Sequence, residues 1–108
     1  MKHLIVIYPN CAGLVAFPDD YEIPLETLQG FVRGSIETIP TFHKNHVLIV
    51  NEESKFVEPR IPNMRATRIL SPSIKDVIFG NALIMEAKGE ELVGLGEETA
   101  AKWMEILQ

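Results

Sequence analysis

Residues 3–8, HLIVIY, form an unbroken apolar run rich in β-branched and aromatic side chains, the composition of a buried strand. The PNCAG that follows offers turn chemistry, and LVAFP can return as a partner strand, so a first hairpin is expected. PDDYEI is polar and turn-like. The period then changes: in PLETLQGFVRG, Leu25, Leu28, Phe31 and Val32 fall on one face of a helix. Pro24 suits its first turn, Glu26 its positive end and Arg33 its negative end, and Gly34 can take the left-handed cap.

SIETIP alternates, and HVLIVNEE is the more continuous run expected of a central strand. TFHKN between them fits a short connection, so a second hairpin is expected here. Residues 51–62 read as an irregular excursion. From Asn63 the chain can take about two helical turns, with Asn63 as N-cap, Met64, Thr67, Ile69 and Leu70 turned inward, and SPS ending it. DVIFGNALIMEA is strand-like on both sides of Gly80-Asn81, which marks a tight turn or a bulge. KGEELVGL gives a turn and a short strand. In GEETAAKWMEILQ, Ala100, Trp103, Met104 and Leu107 form the apolar stripe of a final helix, with Glu97 and Glu98 in its first turn.

Strands punctuated by two or three short helices argue an α+β fold, a mostly antiparallel sheet with the helices packed on one face. Its other face would need cover, which dimerisation can supply. The 108 residues suffice for one domain, 1–108, and 46% apolar with 23% charged residues is an ordinary globular balance. A single cysteine, Cys11, excludes an intramolecular disulfide and suits a reducing cytoplasm. The first apolar run ends at Pro9, too short for a signal peptide or a membrane span.

The net charge of −5 argues against direct nucleic-acid binding, since that needs a dense cationic surface. Against this background RIPNMRATRIL, residues 60–70, holds three of the four arginines. Between Ser54 and Lys75 the local balance is +4, which leaves −9 on the rest of the chain. Arginine presents two parallel donors and so suits bidentate recognition of phosphate or carboxylate. Arg65 and Arg68, three apart, share a helical face, and Asn63 and Thr67 add neutral donors and acceptors. Arg60, Asn63, Arg65, Thr67 and Arg68 are therefore candidate ligand-binding residues. The alternative is that these arginines pair with the chain's own carboxylates, such as Glu37, Glu52 and Glu53.

Glu52 and Glu53 follow a buried strand and emerge at a sheet end, a usual place for ligand contacts, so Glu52 joins the candidate set. Neighbours on a strand point apart, however, and solvated turn acids remain the simpler reading. His43 and His46 have a spacing that suits metal only on a helix, and here they flank a turn. No phosphate loop, dinucleotide-binding glycine pattern, zinc-protease motif or cysteine pair is present, and the serines lack a nucleophile-elbow context. No catalytic residue, metal or cofactor is expected.

The order of the blocks LQGFVRGSIETIP, VNEESK, PNMRATRIL and DVIFGNALIM resembles a domain family of unknown function common in phages and mobile elements of bacteria. The likeness covers about residues 25–86. Arg33 is a departure, standing where the family often carries glycine. The resemblance implies a small α+β protein from a mobile-element setting and no established catalytic residues. Together with the arginine run it leads to the expectation of a non-enzymatic protein that binds an anionic, nucleotide-like small molecule. Sequestering a host defence signal is a role that the family setting alone implies. A homo-oligomer would help by building a pocket between copies, because so small a chain has little room for a deep cleft. The alternative partner is a host protein: an acidic inhibitor of a host nuclease or another nucleic-acid-processing factor. A small hydrolase using Glu52 or Glu53 stands third.

Overall fold

The computed structural model describes residues 1–56 and 58–108. Six strands, β1 (Lys2–Ile7), β2 (Ala12–Phe17), β3 (Ile36–Pro40), β4 (His46–Asn51), β5 (Ala82–Lys88) and β6 (Glu91–Val93), form one sheet. Its order is β2-β1-β5-β4-β3, β6 also pairs with β5, and every pairing is antiparallel. Among the described residues three α-helices accompany it, α1 (Leu25–Val32), α2 (Met64–Arg68) and α3 (Glu97–Leu107), with a single 3-10 turn at Ser54–Phe56. The expected α+β class and both expected hairpins are present.

The helices do not share a face. Along β1, Leu4 and Val6 join Ile49, Leu83 and Met85 in a core closed by Leu28 and Val32 of α1. Ile5 and Ile7 point the other way, to a core with Leu48, Ile84, Ala66 of α2, and Ala100, Trp103 and Leu107 of α3. The expectation of helices on one face is corrected, and with it the motive for covering the other face by dimerisation. The physical reason is in the runs themselves. Strands buried on both sides have no polar alternate, and LIVI, LIV and ALIM are continuous for that reason.

Three local expectations also change. Residues 75–79 are not a strand; Phe79 makes only an isolated bridge to Pro62, and Gly80 turns the chain at φ +76° into β5. Met64 is exposed, and Ala66 takes the buried position in α2. At the end of α1, Arg33 and not Gly34 adopts the left-handed conformation, at φ +66°. Gly34 is needed for a different reason. A Cβ there would lie 2.6 Å from Nδ2 of Asn51, which donates to the carbonyls of Val32 and Arg33 and so caps the helix from across the sheet edge.

Candidate functional site

Asn63 organises the arginine segment from within. It has no exposed surface. Its Oδ1 accepts from the Ala66 N–H at 3.1 Å, as an N-cap should. Its Nδ2 donates to the carbonyls of Ile7 and Gly80, both at 2.8 Å, and its backbone N–H reaches the Ile78 carbonyl. One amide thus ties together the end of β1, the turn before β5 and the start of α2. Thr67 completes the knot: its hydroxyl donates to the Asn63 carbonyl at 2.8 Å and accepts from the Ile78 N–H at 3.0 Å. The reading of Asn63 as a ligand donor is corrected, because its side chain is enclosed and both of its amide hydrogens are taken. Thr67 is occupied in the same way, with its hydroxyl turned into the fold.

The arginines leave this knot in two directions. Arg60 lies over the ring of Phe79, with its guanidinium carbon 4.7 Å from the centroid, within range of a cation–π contact. Arg65 and Arg68 line a cleft of about 200 Å³ with Phe42, Ile69, Ile106, Leu107 and Gln108. Nε of Arg65 donates to the Leu107 carbonyl at 2.9 Å, which anchors the side chain to the end of α3 and leaves the terminal nitrogens of its fork for other partners. Arg68 is exposed. Among the described residues the ion pairs are Met1 with Asp19 and Lys55 with Asp76, so none of the three arginines is paired with a carboxylate. The alternative in which Glu37, Glu52 and Glu53 neutralise them does not occur.

Glu52 belongs elsewhere. It lines a separate cavity of about 240 Å³ with Glu37, Lys55, Phe56 and Asp76, and none of its lining residues is shared with the arginine cleft. The Lys55 ammonium, with help from the Val77 N–H, holds the Asp76 carboxyl below the usual range. The six residues singled out from the sequence are therefore distributed over the interior, the Phe79 ring, the α2–α3 cleft and a separate cavity. What the sequence reading missed is the cleft's apolar wall, Phe42 and Ile106. Both lie outside any periodic stripe, and only the tertiary fold brings them beside the arginines.

His43 of the β3–β4 connection and His46, the first residue of β4, form a third cluster. Their rings stack 4.0 Å apart and nearly parallel, and Nδ1 of buried His46 accepts the indole N–H of Trp103 at 2.9 Å. Stacked rings direct their in-plane lone pairs apart, and one of the four nitrogens already serves α3. Among the described residues no group of three or more His, Cys, Asp or Glu is placed to hold a metal. Burial, followed by the adjacent His43, pushes the His46 pKa down, while Glu86 opposes the shift.

A family model, that of the domain of unknown function DUF3846, matches residues 1–108. The chain belongs to this family. No curated protein and no solved structure gives a match. Within this DUF3846 chain, the blocks that drew attention in the sequence have structural tasks. VRG and VNEE meet at the Asn51 cap of α1, whereas PNMRAT and FGN meet at the Asn63 knot. No helix among the described residues is long and apolar enough to cross a membrane.

Proposed function

We propose that this chain is a non-enzymatic binding protein for an anionic, nucleotide-like small molecule, with Arg65 and Arg68 as its phosphate-recognising groups. The observation that carries the reading is the cleft between α2 and α3. There two arginines, unpaired with any carboxylate among the described residues, stand beside the exposed faces of Phe42 and Ile106. Guanidinium forks recognise phosphate oxygens in pairs, and an aromatic wall accepts a flat base or ring. The binding set is thus Arg65 and Arg68 with Phe42, in place of the wider set that included Asn63, Thr67 and Glu52. At about 200 Å³ the cleft lies below the usual range for a whole drug-sized ligand, so it accommodates the phosphate end and leaves the remainder exposed or covered by a second copy. In a phage or mobile-element setting, in the cytoplasm, such a protein would act by withholding a nucleotide signal from its host receptor.

The acidic-inhibitor reading has less support. A cavity of about 500 Å³ mixes Asp19, Asp20, Glu22 and Glu91 with Lys2 and Lys88, and Asp19 is already paired with the N-terminal amine. The test is thermal denaturation with pyrophosphate, AMP, ADP and cyclic dinucleotides, accompanied by mass spectrometry of small molecules released when the purified protein is unfolded. At least one of these anions should raise the melting temperature of the wild type, and Arg68→Glu should abolish the rise while melting at the same temperature without ligand. No rise with any of them, and nothing released, would remove the reading.

A further inference from the structure

The two long edges of the sheet differ. β3 carries Glu37 and ends in Pro40, and the segment after α2 docks against its end, with Ser71 N–H donating to the Pro40 carbonyl at 3.1 Å. β6 is short and begins at Glu91. By contrast β2, Ala12-Gly13-Leu14-Val15-Ala16-Phe17, has no charge and no proline, and it pairs on one side only. Leu14 is 46% exposed and Val15 36%. Edge strands in monomeric proteins are ordinarily blunted by charge, proline or a bulge, and β2 runs in uninterrupted register against β1 with none of these.

The hydrogen-bonding direction of β2 follows from its neighbour. His3 exchanges both backbone bonds with Leu95, at 2.8 and 2.6 Å, so its N–H and C=O point away from β2. His3 is opposite Ala16, which makes that pair the non-bonded kind, and the alternation continues along the ladder. Ala12, Leu14 and Ala16 therefore direct their N–H and C=O outward, to the open side. Gly13, Val15 and Phe17 bond to β1.

We infer that β2 is a homodimerisation edge, pairing antiparallel with β2 of a second copy about a two-fold axis at Leu14. The occupant follows from the order of side-chain sizes. About that axis Leu14 meets Leu14 of the second copy, and Ala12 meets Ala16 in both directions, so all the outward groups find partners in about six backbone hydrogen bonds. On the face where Ile5 and Leu14 lie, the order small, large, small reads the same from either end. On the other face Gly13 is opposite Val15 of the second copy, a gap facing a bulk. A strand complementary to itself in both backbone and volume makes an isologous contact, the form that closes after two copies. Although the chain carries −5 overall, the strip itself has no charge to repel its twin. This interface is independent of the anion-binding reading.

The test combines mass with register. Sedimentation equilibrium of the full chain at tens of micromolar should give twice the 12.1 kDa of one chain. Leu14→Lys places two ammonium groups at the axis and should return the mass to one chain with an unchanged circular-dichroism spectrum. Register is read by cysteine scanning in a Cys11→Ser background, since Cys11 is exposed and free. Leu14→Cys brings two Cα atoms to about 5.5 Å, within disulfide reach, and should cross-link in air. Ala16→Cys leaves its counterpart about 14 Å away along the strand and should not. A wild-type monomer at these concentrations overturns the proposal. So does a dimer that persists in Leu14→Lys, or cross-linking that is equal at positions 14 and 16.

Discussion

Asn63 and Arg68 stand at the two ends of one short helix and are held in opposite ways. Asn63 is enclosed, and both hydrogens and the oxygen of its amide are bonded to three different parts of the chain. Arg68 is exposed on the cleft side and is unpaired with any acid among the described residues. A polar residue can therefore mark the same sequence segment for two reasons, to fasten the fold or to meet something outside it. Burial and partner geometry separate the two, whereas residue type does not. The helix is too short to be stable by itself, so the Asn63 knot is what fixes where Arg65 and Arg68 point.

The largest effect should come from the enclosed end. Asn63→Ala removes the donors to the Ile7 and Gly80 carbonyls and the acceptor for the Ala66 N–H, and should cost about 3 kcal/mol by chemical denaturation. Asn63→Asp sharpens this point, because it keeps the cap acceptor yet loses both donors and buries a charge. It should be no better than alanine. If it recovers wild-type stability, the fastening role is wrong.

Next comes the second asparagine, Asn51, where the same logic works through a glycine. Gly34→Ala forces a methyl group onto the Asn51 amide and should cost about 2 kcal/mol. The two sites share one contact, so their effects should not add: Gly34→Ala with Asn51→Ala should be scarcely less stable than Asn51→Ala alone.

Much of this architecture was legible. Apolar runs locate β1, β4 and β5, the helical periods locate α1 and α3, and Asn63 is the N-cap that its place before the helical segment predicts. Two things were hidden. The layering is not as expected, because strands punctuated by short helices do not say which face each helix covers, although the unbroken runs in HLIVIY and HVLIV require cover on both. The site is narrower than the sequence suggests because residue type does not show whether an inward polar group is already spent within the fold: Thr67 turns inward as the helical period predicts, and its hydroxyl is taken there. Thr67 and Arg68 are neighbours in sequence, yet one hydroxyl bonds inside and the other side chain faces solvent. Phe42 and Ile106 reach the cleft from the β3–β4 connection and from α3, a juxtaposition without a local signature.

A smaller effect, set by pH, should appear at His46. Its pKa is lowered by burial and by His43, so the unfolded chain takes up a proton near pH 6.5 while the folded chain still resists it. Stability should fall as pH drops below about 6.5 and through the depressed native value, because the unfolded state then binds more protons. His46→Gln should flatten this part of the profile, measured as melting temperature against pH. A profile that retains the wild-type slope would assign the loss to other groups.

Smaller again, and opposite in sign, is the change at Arg33, which holds a left-handed backbone at φ +66°. Arg33→Gly should raise stability by about 1 kcal/mol, since glycine adopts that conformation without the Cβ clash. Gly30→Ala, inside α1 with nothing near its missing Cβ, provides a control of similar size that acts through helix propensity alone.

The smallest effect should come from the exposed end of α2, and it tests the opening contrast most directly. Arg68→Ala should change stability by no more than about 0.5 kcal/mol, as expected for a solvated side chain without a structural partner. Arg65→Ala should cost about 1 kcal/mol, because it gives up the Nε–H bond to the Leu107 carbonyl. The pair therefore separates an anchor from a free fork within one cleft: equal losses at both positions would mean that Arg68 is also fastening the fold. A loss at Arg65 alone leaves Arg68 as the side chain whose removal alters recognition without altering the scaffold.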